Sequence, residues 1–120
     1  MRQLFAGLLI LAAAGCSKAN EQIECPAPES GQAAGTLRES PGQIKAAGDQ
    51  LGQGSENEIA EAAARIRARH AGAARSEVIN YLVTAYCPRI NGQSSLDKSA
   101  KQQALQSFSA RAEKIVKAGS

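Results

Sequence analysis

The most apolar stretch downstream of the N-terminus, residues 78–87, constrains the fold most strongly. Its apolar side chains recur at helical spacing and cover a wide surface: Val78, Ile79, Tyr81, Leu82, Val83, Ala85 and Tyr86. A helix that is apolar over most of its circumference has to be buried by its neighbours. Elsewhere large apolar residues are sparse and alanine is abundant. The pattern therefore predicts a small helical domain with a thin core, built around one central helix.

Two helices are predicted before the central one, each with a clear start. Ser40 can cap the first helix, and Pro41 suits its first position. Ser55 and Glu58 have the spacing of a capping box for the second. The apolar stripes that follow are Ile44, Ala47 and Leu51 in the first helix, and Ile59, Ala62, Ala63 and Ile66 in the second.

Glycine and proline mark where the predicted helices end. Gly52 and Gly54 follow the first helix, and Gly72 follows the second. The central helix is expected to run from about residue 74 or 76 to Cys87. Pro88 should stop it, because proline cannot supply the next helical hydrogen bond.

A fourth helix is predicted after the Asn91-Gly92 turn. Ser94, with Asp97 three residues later, is expected to cap it. One face then carries Leu96, Ala100, Leu105, Phe108, Ala112, Ile115 and Val116. Since no segment alternates as a strand would, the sequence predicts an all-α bundle of three to four short helices over residues 40–120.

The N-terminus carries a different kind of pattern. Arg2 is followed by a short apolar run and then by small residues that lead directly to Cys16. A basic tip, about a dozen apolar residues and small residues at the cut are typical of an export signal, whereas a membrane-spanning helix needs about 20. Residues 1–18 resemble the signal of bacterial lipoproteins, although Ala13 stands where that family usually has leucine.

This resemblance implies that residues 1–15 are removed and that Cys16 carries a covalent lipid, palmitate included, which attaches the chain to a membrane. Ser17 favours the outer over the inner membrane, with the domain facing the periplasm. The alternatives are an ordinary secretory signal with an incidental cysteine, and an uncleaved anchor. Removal of Arg2, the only charge in residues 1–15, lowers the formal net charge from +3 to +2, which favours no class of partner.

With Cys16 assigned to the lipid, two cysteines remain, Cys25 and Cys87. Disulfides form in the exported compartment, and a small domain with a thin core benefits from a covalent link. We therefore predict a Cys25–Cys87 disulfide, since a redox pair usually has Cys-x-x-Cys spacing. Residues 16–39 are predicted to be the tether and lead-in, with a flexible span of about 15–20 Å between Cys16 and Cys25.

No group of residues forms a recognisable catalytic or metal-binding motif. His70 is the only histidine, and it has no cysteine or paired acids nearby in sequence to complete a zinc site. Glu56, Glu58 and Glu61 cluster at the start of the second helix, where they suit the helix terminus or a salt bridge to Arg65. The sequence therefore predicts neither an enzyme nor a bound metal or cofactor other than the lipid.

The candidates for an interface are two arginines and three aromatic residues. Arg65 and Arg69 share a helix face, where they are either solvated or contact an acidic partner or anionic lipid headgroups. Tyr81, Tyr86 and Phe108 are placed as core or core-edge residues, but would anchor a partner if their helices are left uncovered. Nucleic acid is disfavoured, because the chain is exported and has few aromatic residues for base stacking.

The segment from Val78 to Val116 resembles small proteobacterial envelope proteins, a resemblance that implies no activity. The predicted function is therefore a lipid-anchored, non-catalytic binding or accessory module with a larger envelope protein as partner. The alternative is a periplasmic inhibitor or immunity protein against an exogenous enzyme. Such a protein would use a protruding loop or a charged patch that includes Arg65 and Arg69.

Overall fold

The computed structural model describes residues 21–25 and 37–119. This part of the chain contains four helices and no strand: α1 Pro41–Leu51, α2 Glu56–Arg69, α3 Arg75–Asn91 and α4 Lys98–Ala118. The predicted all-α bundle is thus confirmed for the described ranges. The signal at residues 1–15, the lipidation candidate Cys16, its neighbour Ser17 and the proline-containing stretch 26–36 lie outside them.

The first two helices begin where the sequence predicts. The Gln43 backbone N–H donates to Ser40 Oγ at 3.2 Å, and the Ser40 N–H donates to the Gln43 side chain at 2.8 Å. Ser55 and Glu58 form the same reciprocal pair at the start of α2, with distances of 3.2 and 3.0 Å. Each box satisfies N–H groups that a helix otherwise leaves unpaired, which is why the chain enters the helix at that residue.

The end of α2 and the start of α4 differ from the prediction. α2 stops at Arg69, before Gly72, and His70 follows with φ −131° and ψ 71°. His70 leaves the helix because its side chain binds a buried carboxylate. α4 starts after Asp97, which accepts a hydrogen bond from a first-turn N–H at 2.8 Å, and not after Ser94. Asp and Ser cap helices about equally well, so capping preference alone does not decide between these two positions.

The predicted stop at Pro88 is wrong, because α3 continues through it to Asn91. A proline inside a helix costs about 3 kcal/mol. The turn beyond Pro88 offsets this cost by bringing the fully buried Ile90 into the core. It also places Asn91 against the N-terminal segment, where the Asn91 side chain makes two hydrogen bonds.

α3 is the central helix, as predicted. It packs against the three other helices and has eight buried residues, against four in each of the others. α1 runs in the same direction as α3, since Glu39 before α1 contacts Tyr81, and Gly52 after α1 contacts Arg89. Two ends of the bundle follow from this arrangement: the α2–α3 end, at residues 70–74, and the α3–α4 end, at residues 92–97.

α1 lies unusually close to α3 at Gly48. A Cβ atom at this position would clash with the backbone carbonyl oxygen of Ala85. The glycine that lowers the intrinsic helix propensity of α1 is therefore required for its packing.

Candidate functional site

The aromatic candidates lie in the core. Tyr81, Tyr86 and Phe108 have exposed fractions of 0%, 5% and 0%. The Tyr86 and Phe108 rings stack with centroids 4.1 Å apart and planes 13° apart, and so join α3 to α4. The sequence left open whether these side chains are core residues or an anchor for a partner. The structure places all three in the core, so they offer no exposed apolar surface.

The two candidate arginines are engaged within the chain. Arg65 Nη1 donates to Gln50 Oε1 at 3.1 Å, and the Arg65 guanidinium lies 4.0 Å from Glu61. Arg69 donates twice to Glu39, from Nε at 2.6 Å and from Nη2 at 3.1 Å. A partner that bound either guanidinium would have to share it with these acceptors.

Glu39, which the sequence did not single out, lies at the centre of a buried polar cluster. Its side chain is 3% exposed. Besides Arg69, the Tyr81 hydroxyl donates to one carboxylate oxygen, and His70 Nε2 donates to the other at 2.8 Å. An ionised carboxylate only accepts, so His70 carries a proton on Nε2. We call Glu39, Arg69, His70 and Tyr81 the carboxylate cluster.

The cluster holds an ionised carboxylate. Burial by itself raises the pKa of Glu39, but the hydrogen bonds from Arg69, Tyr81 and His70 outweigh it and lower the pKa from 4.5 to about 2. Burial, and after it the hydrogen bond to Glu39, raises the pKa of Tyr81 well above its usual value of 10. At neutral pH Glu39 is therefore ionised and Tyr81 remains a donor.

One sequence signal could have located this cluster. Tyr81 is placed on the most apolar helix, and a buried tyrosine hydroxyl usually finds a hydrogen-bond partner. The acceptor is 42 residues away along the chain, and the other two donors are 30 and 31 residues from it. The signal therefore indicates that a partner exists, but not that it is Glu39.

The backbone just before Glu39 is strained. Leu37 and Arg38 have φ values of 53° and 61°, in the left-handed region that non-glycine residues rarely adopt. Each such residue costs about 1–2 kcal/mol. Two in succession persist only where surrounding contacts fix the chain, and the carboxylate cluster supplies those contacts at the next residue.

A second group of contacts fixes the N-terminal segment to the α3–α4 end. The Asn91 side chain binds both backbone groups of Ile23: the Ile23 N–H donates to Oδ1 at 2.9 Å, and Nδ2 donates to the Ile23 carbonyl at 2.8 Å. Ile23 is buried. The Lys98 N–H donates to Glu21 Oε2 at 2.8 Å, so Glu21 satisfies one of the unpaired donors at the start of α4.

The predicted disulfide completes this attachment. Cys25 and Cys87 are bonded, with Cα atoms 5.7 Å apart and a sequence separation of 62. We call the contacts of Glu21, Ile23 and Cys25 with the bundle the N-terminal anchor.

Two surface depressions lie on either side of Arg89. A cleft of about 260 Å³ between α1 and α3 is lined by Pro41, Ile44, Lys45, Gly48, Asp49, Thr84, Ala85, Pro88 and Arg89. A second depression of about 700 Å³ is lined by Gly52, Gln53, Tyr86, Arg89, Gly92, Gln93 and Ala104. Small-molecule sites usually measure about 300–1,000 Å³. The second depression lies within that range, but its lining is more polar than apolar. The mainly apolar cleft is below the range and matches one or two side chains of a protein partner.

Arg89, between the two depressions, was not identified from the sequence. Its Nε donates to the Gly52 carbonyl at 2.9 Å, and its Nη1 lies 3.3 Å from Asp49. These contacts hold the guanidinium across the C-terminal end of α1. Its side chain remains 38% exposed, so a partner can still reach it.

The described ranges contain no three His, Cys, Asp or Glu side chains placed to hold a metal ion. None of their helices is long and apolar enough to cross a membrane. Comparison with models of protein families, with curated proteins and with solved structures gives no match for this chain.

Proposed function

We propose that this chain is a lipid-anchored protein of the bacterial envelope that acts by binding a partner and not by catalysis. The distribution of its cysteines carries the proposal. Cys25 and Cys87 are joined to each other. Cys16 is therefore the one cysteine outside the disulfide, and it directly follows the small residues of a lipoprotein-like signal. A disulfide also fits the oxidising periplasm, onto which we expect the domain to face, with the outer membrane as the favoured site.

The carboxylate cluster supports a binding role over a catalytic one. Glu39 is ionised and already accepts hydrogen bonds from Arg69, His70 and Tyr81. A general acid or base works best with a pKa near the ambient pH, and neither Glu39 nor Tyr81 meets that condition. The cluster is better explained as the attachment of the lead-in to α2 and α3.

The surface that we assign to the partner is the α1–α3 cleft together with Arg89. Its apolar floor suits an apolar side chain, and its rim carries Lys45, Asp49 and Arg89. Binding surfaces between proteins commonly combine an apolar centre with a polar rim. We expect the partner to be a larger envelope protein that inserts a side chain between α1 and α3.

The lipid anchor is tested by mass spectrometry of the mature protein isolated from the membrane fraction. We expect an N-terminus that begins at Cys16 and carries acyl chains, and a Cys16→Ala variant that lacks them. A mature wild-type protein that has lost its signal but carries no acyl group would contradict the anchor and leave plain secretion.

The partner surface is tested by photocrosslinking in living cells. A photoreactive amino acid replaces Lys45, at the rim of the cleft, or Lys114, on α4 outside both depressions. The two lysine side chains are 79% and 75% exposed, which makes them matched probes. We expect position 45 to capture one envelope protein that position 114 does not. Equal capture at both positions, or capture only at 114, would contradict the assigned surface.

The inhibitor or immunity role remains the alternative proposal. It would use a protruding loop or a charged patch with Arg65 and Arg69, and both arginines are already bound within the chain. Under this alternative, position 45 captures nothing in resting cells, and a photoreactive residue beside Arg65 captures an exogenous lytic enzyme once it is added.

A further inference from the structure

The N-terminal anchor holds residues 21–25 against the bundle. Glu21 is the first of these residues: it binds the Lys98 N–H, and Ile23 two residues later is buried. Residues 17–20 are all that separates Cys16 from Glu21. This stretch spans at most about 17 Å when fully extended. The tether thus contains four residues, fewer than the eight between Cys16 and Cys25, where the sequence placed its end.

We infer that the α3–α4 end of the bundle is the membrane-facing surface of this protein and that the α2–α3 end points away from the lipid. The inference rests on the lipid anchor proposed above. Glu21 lies at the α3–α4 end, next to the start of α4 and to Asn91 through Gln22 and Ile23. α3 has 17 residues, which corresponds to a length of about 25 Å. The loop at residues 70–74 is therefore about one helix length farther from the attachment point.

The short tether, and not attraction between charges, produces this orientation. The α3–α4 end carries exposed charges of both signs: Glu24, Asp97, Lys98 and Arg89. Such a mixture does not attract anionic headgroups strongly. Three further exposed arginines lie at the opposite end, at positions 38, 69 and 75. If attraction to anionic lipid dominated, the α2–α3 end would turn toward the membrane. The two orientations therefore predict opposite results.

The experiment uses the full lipidated protein with a fluorophore at one end of the bundle or the other. Ser95→Cys places a thiol at the α3–α4 end, where Ser95 is exposed. Gly72→Cys places one at the α2–α3 end, where an added Cβ meets no atom within 4 Å. The new thiol is the single reactive one, since Cys25 and Cys87 are bonded and Cys16 carries the lipid. The labelled proteins are inserted into phosphatidylcholine vesicles that contain a nitroxide on a fraction of the headgroups.

We expect strong quenching of the label at position 95 and near-complete loss of quenching at position 72. A flexible glycine-serine spacer of a dozen residues, inserted between Asn20 and Glu21, should abolish most of the quenching at position 95 while leaving the fold intact. Equal quenching at both positions, or stronger quenching at 72, would overturn the orientation. So would unchanged quenching with the spacer.

A second set of vesicles distinguishes orientation by the short tether from orientation by attraction to anionic lipid. With phosphatidylglycerol at low salt, we expect the label at position 95 to remain the more quenched. A reversal that disappears at high salt would show that the arginines bind headgroups, and would overturn the inference. Vesicle flotation and the mass of the protein are recorded in parallel. Wild-type protein that neither floats nor carries acyl chains would refute the proposed lipid anchor on Cys16. Floating, acylated protein with the wrong pattern of quenching would refute only the orientation.

Discussion

Two irregular segments before α1 are attached to the same bundle by different chemistry. At the α3–α4 end, the N-terminal anchor uses a disulfide, the buried Ile23 and the two hydrogen bonds between Ile23 and the Asn91 side chain. Toward the α2–α3 end, the carboxylate cluster uses one ionised side chain, Glu39, with three donors. The first attachment depends on a covalent bond and apolar burial, and the second depends on charge.

The difference gives the two attachments opposite sensitivities. A reductant opens the disulfide but leaves the hydrogen bonds to Glu39 unchanged. Acid protonates the carboxylate but does not affect the disulfide or Ile23. A domain with a thin core thereby holds its lead-in under conditions that weaken either attachment alone. This contrast can be tested one attachment at a time.

The largest effect is expected from the disulfide. Cys25→Ala should lower the free energy of unfolding by about 4 kcal/mol, because an open loop of this length has more conformational freedom when unfolded. Cys87→Ala should have a similar effect, since it breaks the same bond. Urea unfolding at neutral pH measures both. A reductant should lower the free energy of unfolding of the wild type to nearly that of Cys25→Ala, and should not change that of the variant. A much smaller loss in one variant than in the other would contradict the shared bond as the cause.

Glu39→Gln should give the next largest effect, about 3 kcal/mol at neutral pH, from the lowered pKa of Glu39. The pKa is about 2 when folded and 4.5 when unfolded, so the unfolded state takes up protons first as the pH falls. The stabilisation is therefore fully present above pH 4.5 and lost between pH 4.5 and about 2. Measured over this pH range, the free energy of unfolding of the wild type should fall to that of Glu39→Gln.

Glu61→Gln is the matched control for this pH dependence. Glu61 is 66% exposed and lies 4.0 Å from Arg65, so its ion pair is weak. We expect little change in stability at any pH. If Glu61→Gln lost as much stability as Glu39→Gln, general charge effects, and not the buried cluster, would account for the pH dependence.

The sequence predicted those parts of the fold that local chemistry decides. Ser40 and Ser55 each lie three residues before a side chain that completes a capping box, so the starts of α1 and α2 could be predicted. The wide apolar surface of residues 78–87 predicted the central helix. The disulfide followed from counting cysteines once Cys16 was assigned to the lipid. Pro88 shows the limit, because what carries the helix past it is burial of Ile90, a tertiary effect.

The carboxylate cluster could not be predicted in the same way, because its contacts are distant in sequence. Lys101, outside the cluster, shows the same limit. It lies on α4 and is 1% exposed, yet no local pattern marks it as buried. Its ammonium group donates to the Asn91 carbonyl at 3.3 Å, at the C-terminal end of α3, where a cation is favourable. Only the packing of α4 against α3 brings these two residues together.

Asn91→Ala should weaken the N-terminal anchor alone, by about 1–2 kcal/mol, because it leaves the Ile23 backbone groups without their partners. Hydrogen exchange of the Ile23 amide should accelerate, while the pH dependence set by Glu39 should persist. Asn91→Asp keeps an acceptor for the Ile23 N–H but sets a carboxylate oxygen against the Ile23 carbonyl, so it should destabilise at least as much as Asn91→Ala. If Asn91→Ala also altered the acid sensitivity, the two attachments would not be independent.

Arg38→Gly tests the strained backbone at the carboxylate cluster and should give the smallest effect, a gain in stability. Relief of the left-handed conformation contributes about 1–2 kcal/mol, and the added freedom of glycine in the unfolded chain removes about 0.5–1 kcal/mol of it. Arg38→Ala, which removes the charge but keeps the Cβ, should not stabilise. Chemical unfolding of both variants, alone and combined with Glu39→Gln, measures the coupling. If the cluster is what holds Arg38 in this conformation, the gain from glycine should shrink once Glu39 is replaced, because the freed segment can relax by itself. An undiminished gain in the double variant would mean that other contacts fix this backbone, and that the cluster attaches the lead-in without straining it.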